Sequence, residues 1–225
     1  MNKLLKVYRY QLNESLSSVA IFYLALLVVA VFLSMWDGGS SSGFEFASAL
    51  FIFVLGLNLF KSSFRFLQFL GVTRKIFFVG SLLVLFTVAA GMTVIDTVLG
   101  RLFAQLQPYT TLFAQSYEQG SLLSQLIWEF ALLTMFAFIG FFITILYYRC
   151  NKILKIVISL SPVYVSLIMS AMPPSWVISM WGVIGFLSGL RPEVGVWDNV
   201  LGMLVTVLAA SGLCFLLIRR APVKQ

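Results

Sequence analysis

Apolar residues run along this chain in blocks long enough to cross a lipid bilayer, and the polar residues collect between them. A membrane-crossing helix takes about 20 mostly apolar residues. Six blocks read as such spans: residues 18–36, 44–60, 76–99, 123–147, 156–172 and 200–218. The links between them differ in kind. Residues 37–43 are Asp-Gly-Gly-Ser-Ser-Ser-Gly, a run of loop formers. Residues 101–124, with Pro108 and Gly120, are predicted to carry a short helix or two on the outer side. Pro162 falls inside the fifth block, where a kink is tolerated by bundle packing.

Two stretches carry a helical period without being spans. In residues 2–16, Lys3, Lys6, Arg9 and Asn13 share one arc, and Leu4, Leu5, Tyr8, Leu12 and Leu16 share the opposite one. That pattern predicts a basic amphipathic helix lying on the inner leaflet. Residues 61–75 form a link longer and more aromatic than a passive hairpin requires. Lys61, Ser62, Arg65 and Gln68 make one face there, with Phe64, Phe66, Leu67, Phe69 and Leu70 covering the rest. Gly71 suits a helix C-terminus and Thr73 the cap of the helix that follows. A short helix parallel to the membrane is expected, either transmitting force from a cytoplasmic partner or merely anchored in lipid.

Residues 174–198 are the ambiguous part. Trp176 to Leu190 is apolar but short for a crossing, and Arg191-Pro192-Glu193 follows it. We read 174–198 as a re-entrant hairpin dipping in from outside, with Gly182, Gly185 and Gly189 allowing close backbone packing. A full crossing would make seven spans and put the basic tail outside.

Charge sets the orientation. The chain has 15 Lys and Arg residues. Threaded through six spans, all except Arg101 and Arg191 fall on one side. Basic residues near span ends stay in the cytoplasm, so both termini are expected there. Trp36, Trp176, Trp181 and Trp197 then fall at the outer interface as an aromatic belt. The pI near 9.6 is therefore a topology signal and does not argue for nucleic acid. Only 10% of residues are charged and the mean hydropathy is +1.00, which requires lipid as the solvent. The fold class is all-α, a polytopic membrane protein with a single transmembrane domain over 1–225. The first apolar run lacks a convincing cleavage site and is read as a retained span.

The chemistry is sparse. There is no histidine, which excludes rhomboid-like serine–histidine sites and His-Glu-x-x-His zinc proteases. No Gly-Lys dipeptide occurs, so the chain has no phosphate-cradling loop of its own. Cys150 and Cys214 fall near cytoplasmic span ends, where a disulfide is not expected. No metal site is expected. Asp96 and Glu129 are read as the acidic residues inside the spans, both in the outer half and close to Arg101. A carboxylate at the bilayer centre costs about 2.5–3.5 kcal/mol. These residues either form a polar cluster fixing the third and fourth spans, or simply snorkel, or they line the exit pathway or contact a cationic substrate.

The order of elements carries a resemblance: an amphipathic N-terminal helix, two spans, a cytoplasmic helix ending Phe69-Leu70-Gly71-Val72-Thr73-Arg74-Lys75, a span ending Ile95-Asp96-Thr97, and a late re-entrant hairpin. In layout this resembles the permease subunit of small bacterial ABC-type exporters of the type-two superfamily. It is similar in particular to Gram-positive permeases for peptides and antibiotics. The resemblance implies that 61–75 is the coupling helix on a separate ATPase, with Phe64, Arg65, Phe66, Leu67, Phe69, Leu70, Gly71 and Arg74 as its contact set. It implies no cofactor on this chain, with Mg-ATP on a cytoplasmic ABC ATPase partner. It also implies a second permease copy or paralogue, a bacterial plasma-membrane location, and an amphipathic peptide, antibiotic or lipid as cargo. Two other classes share parts of the pattern: a non-catalytic immunity or sensor component with the same topology, and an intramembrane enzyme, which would need Asp96 and Glu129 to meet.

Overall fold

The computed structural model describes residues 3–36, 44–106, 110–117, 121–151, 154–157, 160, 185 and 195–219. These are all-helical: α1 Lys3–Trp36, α2 Phe44–Phe69, α3 Arg74–Leu106, the short α4 Leu112–Ser116, α5 Leu122–Arg149 and α6 Val196–Arg219. Four helices, α1, α3, α5 and α6, are long and apolar enough to cross a membrane, and Phe44–Phe60 within α2 is a shorter apolar segment. Most of the fifth span expected over 156–172 and of the hairpin expected over 174–198 lies outside the described residues.

The helices run longer than their apolar blocks. From Lys3 onward the amphipathic stretch and the span 18–36 share one unbroken 34-residue helix. The residues α1 buries are Val7, Gln11, Ser15, Val19, Tyr23, Leu26 and Ala30, a stripe with i+3 and i+4 spacing. Against α3 this stripe is partly polar: Gln11 Nε2 donates to Ser81 Oγ at 3.1 Å, and Tyr8 and Thr87 join their hydroxyls at 3.1 Å. The opposite face exposes Ile21, Leu24, Val28 and Phe32, the apolar surface that lipid covers.

The break expected between the second span and a helix at 61–75 is absent. Residues 61–69 continue α2, which is 26 residues long. Its end is built as foreseen: Gly71 takes φ +70°, Gly71 N–H donates to the Gln68 carbonyl and Val72 N–H to the Leu67 carbonyl. This pair of bonds is a Schellman turn. Thr73 caps α3, its Oγ1 accepting from Ile76 N–H at 3.4 Å. A Cβ at Gly71 would meet no atom within 4 Å, so only backbone strain opposes one. Gly71→Ala is expected to cost about 1–2 kcal/mol, measurable as a lower thermal midpoint in detergent; an unchanged midpoint would contradict the turn.

The bundle is knit most extensively between α2 and α5, then between α5 and α6 and between α1 and α3. At one end Phe60 stacks on Phe64 at 4.6 Å, and both meet Phe77 and Tyr148 edge-on at 5.1–5.8 Å. The same end holds the starts of α1 and α3 and the ends of α2, α5 and α6. Tyr10 of α1 stacks on Phe66 at 5.4 Å, and Arg74 Nη1 donates to the Arg219 carbonyl at 3.1 Å. Lys6, Arg9, Arg74, Lys75, Arg149 and Arg219 therefore gather at one end of the bundle. Glu45, Asp96, Glu129 and α4 lie toward the other.

Candidate functional site

Toward the end opposite the basic residues, three carboxyl side chains are buried together: Glu45, Asp96 and Glu129, each no more than 6% exposed. Asp96 Oδ1 accepts from Tyr23 Oη at 2.8 Å and from Ser48 Oγ at 3.0 Å. Glu129 Oε2 accepts from Thr97 Oγ1 at 3.2 Å, and Thr97 also donates to the Thr93 carbonyl at 2.8 Å. Asp96 and Glu129 are neighbours across α3 and α5, since Glu129 is bonded by Thr97, the residue that follows Asp96. Each leaves one buried oxygen with no other donor, Asp96 Oδ2 and Glu129 Oε1.

Each carboxyl is placed by ordinary helix geometry. Glu45 sits in the first turn of α2, where a negative group is favourable. It reaches across to accept from the backbone N–H of Leu112, the first residue of α4. Asp96 and Thr97 are adjacent on α3, so one turns toward α1 and α2 and the other toward α5. Glu129 follows Trp128, which is packed against Phe113 and Tyr117. On α6, Asn199 is fully buried and its amide donates to the Tyr117 hydroxyl. The result is a polar plug that ties together α1, α2, α3, α4 and α5.

Two expectations about this cluster change. Glu45 belongs to it, although only Asp96 and Glu129 were counted as the acidic residues inside the spans. Arg101 does not join it. α3 extends past 99 to Leu106, and Arg101 lies exposed on that extension. The carboxyls accept instead from the hydroxyls of Tyr23, Ser48 and Thr97 and from the Leu112 backbone N–H. The space beside Glu45 and Asp96 is about 10 Å³, room for one water at most. Among the described residues no group of His, Cys, Asp and Glu suits a metal ion.

At the basic end the expected contact set of 61–75 divides. Phe64 and Leu67 are buried core residues, with Phe64 at the centre of the aromatic cluster. Phe66, Phe69 and Leu70 point outward and are 48%, 88% and 62% exposed. Gly71 makes the turn, and Arg74 fastens α3 to the end of α6. The Arg65 side chain lies outside the described set. Beside the aromatic cluster opens a cavity of about 710 Å³ between α2, α5 and Lys155.

No family model matches the chain, and neither a curated protein nor a solved structure matches it. The geometry therefore carries the functional reading. It offers a sealed polar plug at one end and, at the other, a rigid exposed aromatic tip and an open aromatic cavity.

Two glycines missed in the sequence hold these ends together. A Cβ on Gly56 would lie 2.3 Å from the Ala137 carbonyl oxygen, and one on Gly140 would lie 2.2 Å from that of Phe53. The α2 and α5 backbones are in direct contact there. Thr144 Oγ1 donates across the same crossing to the Leu57 carbonyl at 2.7 Å. The signal in the sequence was two single glycines in apolar helices, each without a GxxxG partner.

Proposed function

We propose that this chain is the membrane-spanning permease subunit of an ATP-driven exporter. It would form the pathway for an amphipathic peptide, antibiotic or lipid and work with a separate cytoplasmic ATPase. The observation that carries the reading is the tip of α2. Phe69 and Leu70 stand largely exposed at a capped turn among basic residues, 88% and 62% exposed. A phenylalanine so placed has an apolar face to cover, and the turn beneath it is held by two backbone hydrogen bonds. One helix joins this tip to Glu45 at the far end. At 1.5 Å per residue it is a lever about 39 Å long. A push on the tip by a nucleotide-hydrolysing partner would be felt at the carboxyl plug.

The topology we assign has six spans with both termini in the cytoplasm of a bacterial plasma membrane. Gathering of the cations at one end of the bundle favours it. So does the placement of Arg149 at the basic end and Val196 at the other, since the chain between them has to return across the bundle. Energy would come from the partner, because no phosphate-binding loop is present here. A second copy or a paralogous permease would complete the pathway. A carboxyl-pair enzyme is the less favoured reading: Asp96 and Glu129 are both buried, and the space beside Glu45 and Asp96 is about 10 Å³.

The test is association. Phe69→Ala with Leu70→Ala is expected to leave the midpoint of unfolding unchanged, because both side chains are largely exposed, and to lower co-purification with the cognate ATPase at least tenfold. Full association and full stimulation of ATP hydrolysis by the double variant would refute the coupling role. So would modification of Phe69→Cys in intact cells by a membrane-impermeant thiol reagent.

A further inference from the structure

We propose that the cavity between α2 and α5 at the basic end binds an anionic amphiphile, an acyl chain carrying a carboxylate or phosphate. Its volume, about 710 Å³, lies in the range of small-molecule sites. Its walls include Phe53, Leu57, Phe60 and Ile143, which suit an apolar chain. The rings of Phe60 and Phe64 are held by stacking on each other and by edge contacts with Tyr148, so this wall is preformed. Lys155 is the one charged side chain among the described lining residues, and no carboxylate is among them. An ammonium held beside an apolar wall attracts an anion, and partial burial reduces the screening between them. A neutral lipid would fill the apolar part and leave the lysine without a counter-charge. A cationic amphiphile would be repelled.

The site also lies where such a molecule arrives. The cavity shares Phe60, Phe64 and Tyr148 with the aromatic cluster at the basic end of the bundle. That end is where the spans leave the apolar layer, so a head group meets Lys155 while its chain points inward along α2 and α5. Arg149, exposed one residue beyond Tyr148, adds positive charge on the same side. The inference stands on the chemistry of the cavity and needs no ATPase. Failure to find a coupled ATPase would leave it intact, and failure of binding would leave the coupling role intact.

The experiment uses the full chain in phosphatidylcholine nanodiscs and a diazirine-bearing palmitate as photolabel. Adducts are expected on Leu57, Ile143 and their neighbours in the cavity wall. Lys155→Gln is expected to lower labelling about tenfold, the equivalent of about 1.4 kcal/mol. Ile143→Trp, which fills the cavity, is expected to reduce it further. The methyl ester of the same label should give background only. Displacement by phosphatidylglycerol assigns the anion to a bilayer lipid, and displacement by palmitate alone assigns it to a free single-chain acid. Equal labelling by acid and ester, displacement by phosphatidylcholine, or full labelling of a folded Lys155→Gln protein overturns the proposal.

Discussion

Gly140→Ala is expected to destabilise the bundle by about 3 kcal/mol, the upper end of what overpacking costs, and Gly140→Leu to prevent its assembly. The added methyl would lie 2.2 Å from the Phe53 carbonyl oxygen and 3.1 Å from its carbonyl carbon. A side chain can rotate out of such a clash, but a backbone carbonyl inside a helix cannot. The helices would have to separate, and the bond from Thr144 to the Leu57 carbonyl, 2.7 Å long, would go with them. Phe141 sits one residue on, edge-on to Phe60 at 6.2 Å, so the aromatic cluster and the cavity beside it would loosen as well. Gly56→Ala should behave the same way from the other side of the crossing. Gly91→Ala is the control. A Cβ there meets nothing within 4 Å, so the gain in helix propensity of about 1 kcal/mol should appear unopposed. Thermal unfolding in detergent separates the two. A Gly140→Ala midpoint at or above that of the parent would refute the close crossing.

The second large effect is expected at Asp96. Asp96→Ala removes the acceptor used by Tyr23 and Ser48. Buried donors without partners cost about 1–3 kcal/mol each. Tyr23 retains the Met92 carbonyl at 3.2 Å as a second acceptor, which limits the loss. A total near 3 kcal/mol follows. Asp96→Asn should be far milder, within about 1 kcal/mol of the parent. Its amide oxygen still accepts from the two hydroxyls, and its NH₂ replaces Oδ2, which has no donor. Glu129→Gln should be mild for the same reason. A cycle of Tyr23→Phe with Asp96→Ala isolates the pair, with an expected coupling of about 1 kcal/mol. Equal losses for Asp96→Ala and Asp96→Asn would show that the plug is not held by these hydrogen bonds.

The reach of the sequence can be judged residue by residue. The apolar blocks were plain, because a span is a local property: about 20 adjacent residues must each tolerate lipid. Gly71 and Thr73 were also plain, since a left-handed turn and an N-cap each depend on a residue or two. The continuity of α2 was not. Lys61, Arg65 and Gln68 mark where the apolar block stops, but a helix does not stop with it, because its backbone hydrogen bonds do not depend on side-chain polarity. α1 made the same point at its start. The face expected to lie on the inner leaflet was that of Leu4, Leu5, Tyr8, Leu12 and Leu16. The bundle instead buried Val7, Gln11 and Ser15, leaving Leu5 and Leu16 each half exposed. In lipid an apolar face gains little by turning inward, so packing and interhelical hydrogen bonds choose the interface.

By itself, the sequence determined that the chain is helical and built for a membrane, where its helices turn, and which end carries the positive charge. Length, hydropathy and charge near span ends are summed along the chain, and a single strand of letters contains them. Only the tertiary structure decided that Glu45 joins Asp96 and Glu129 while Arg101 stays outside. It alone brought Gly56 and Gly140 to one crossing and opened a cavity above Lys155. These features depend on the rotation of one helix against another. That rotation is set by close packing between residues far apart in the chain, 145 positions for Arg74 and Arg219, which no local pattern records.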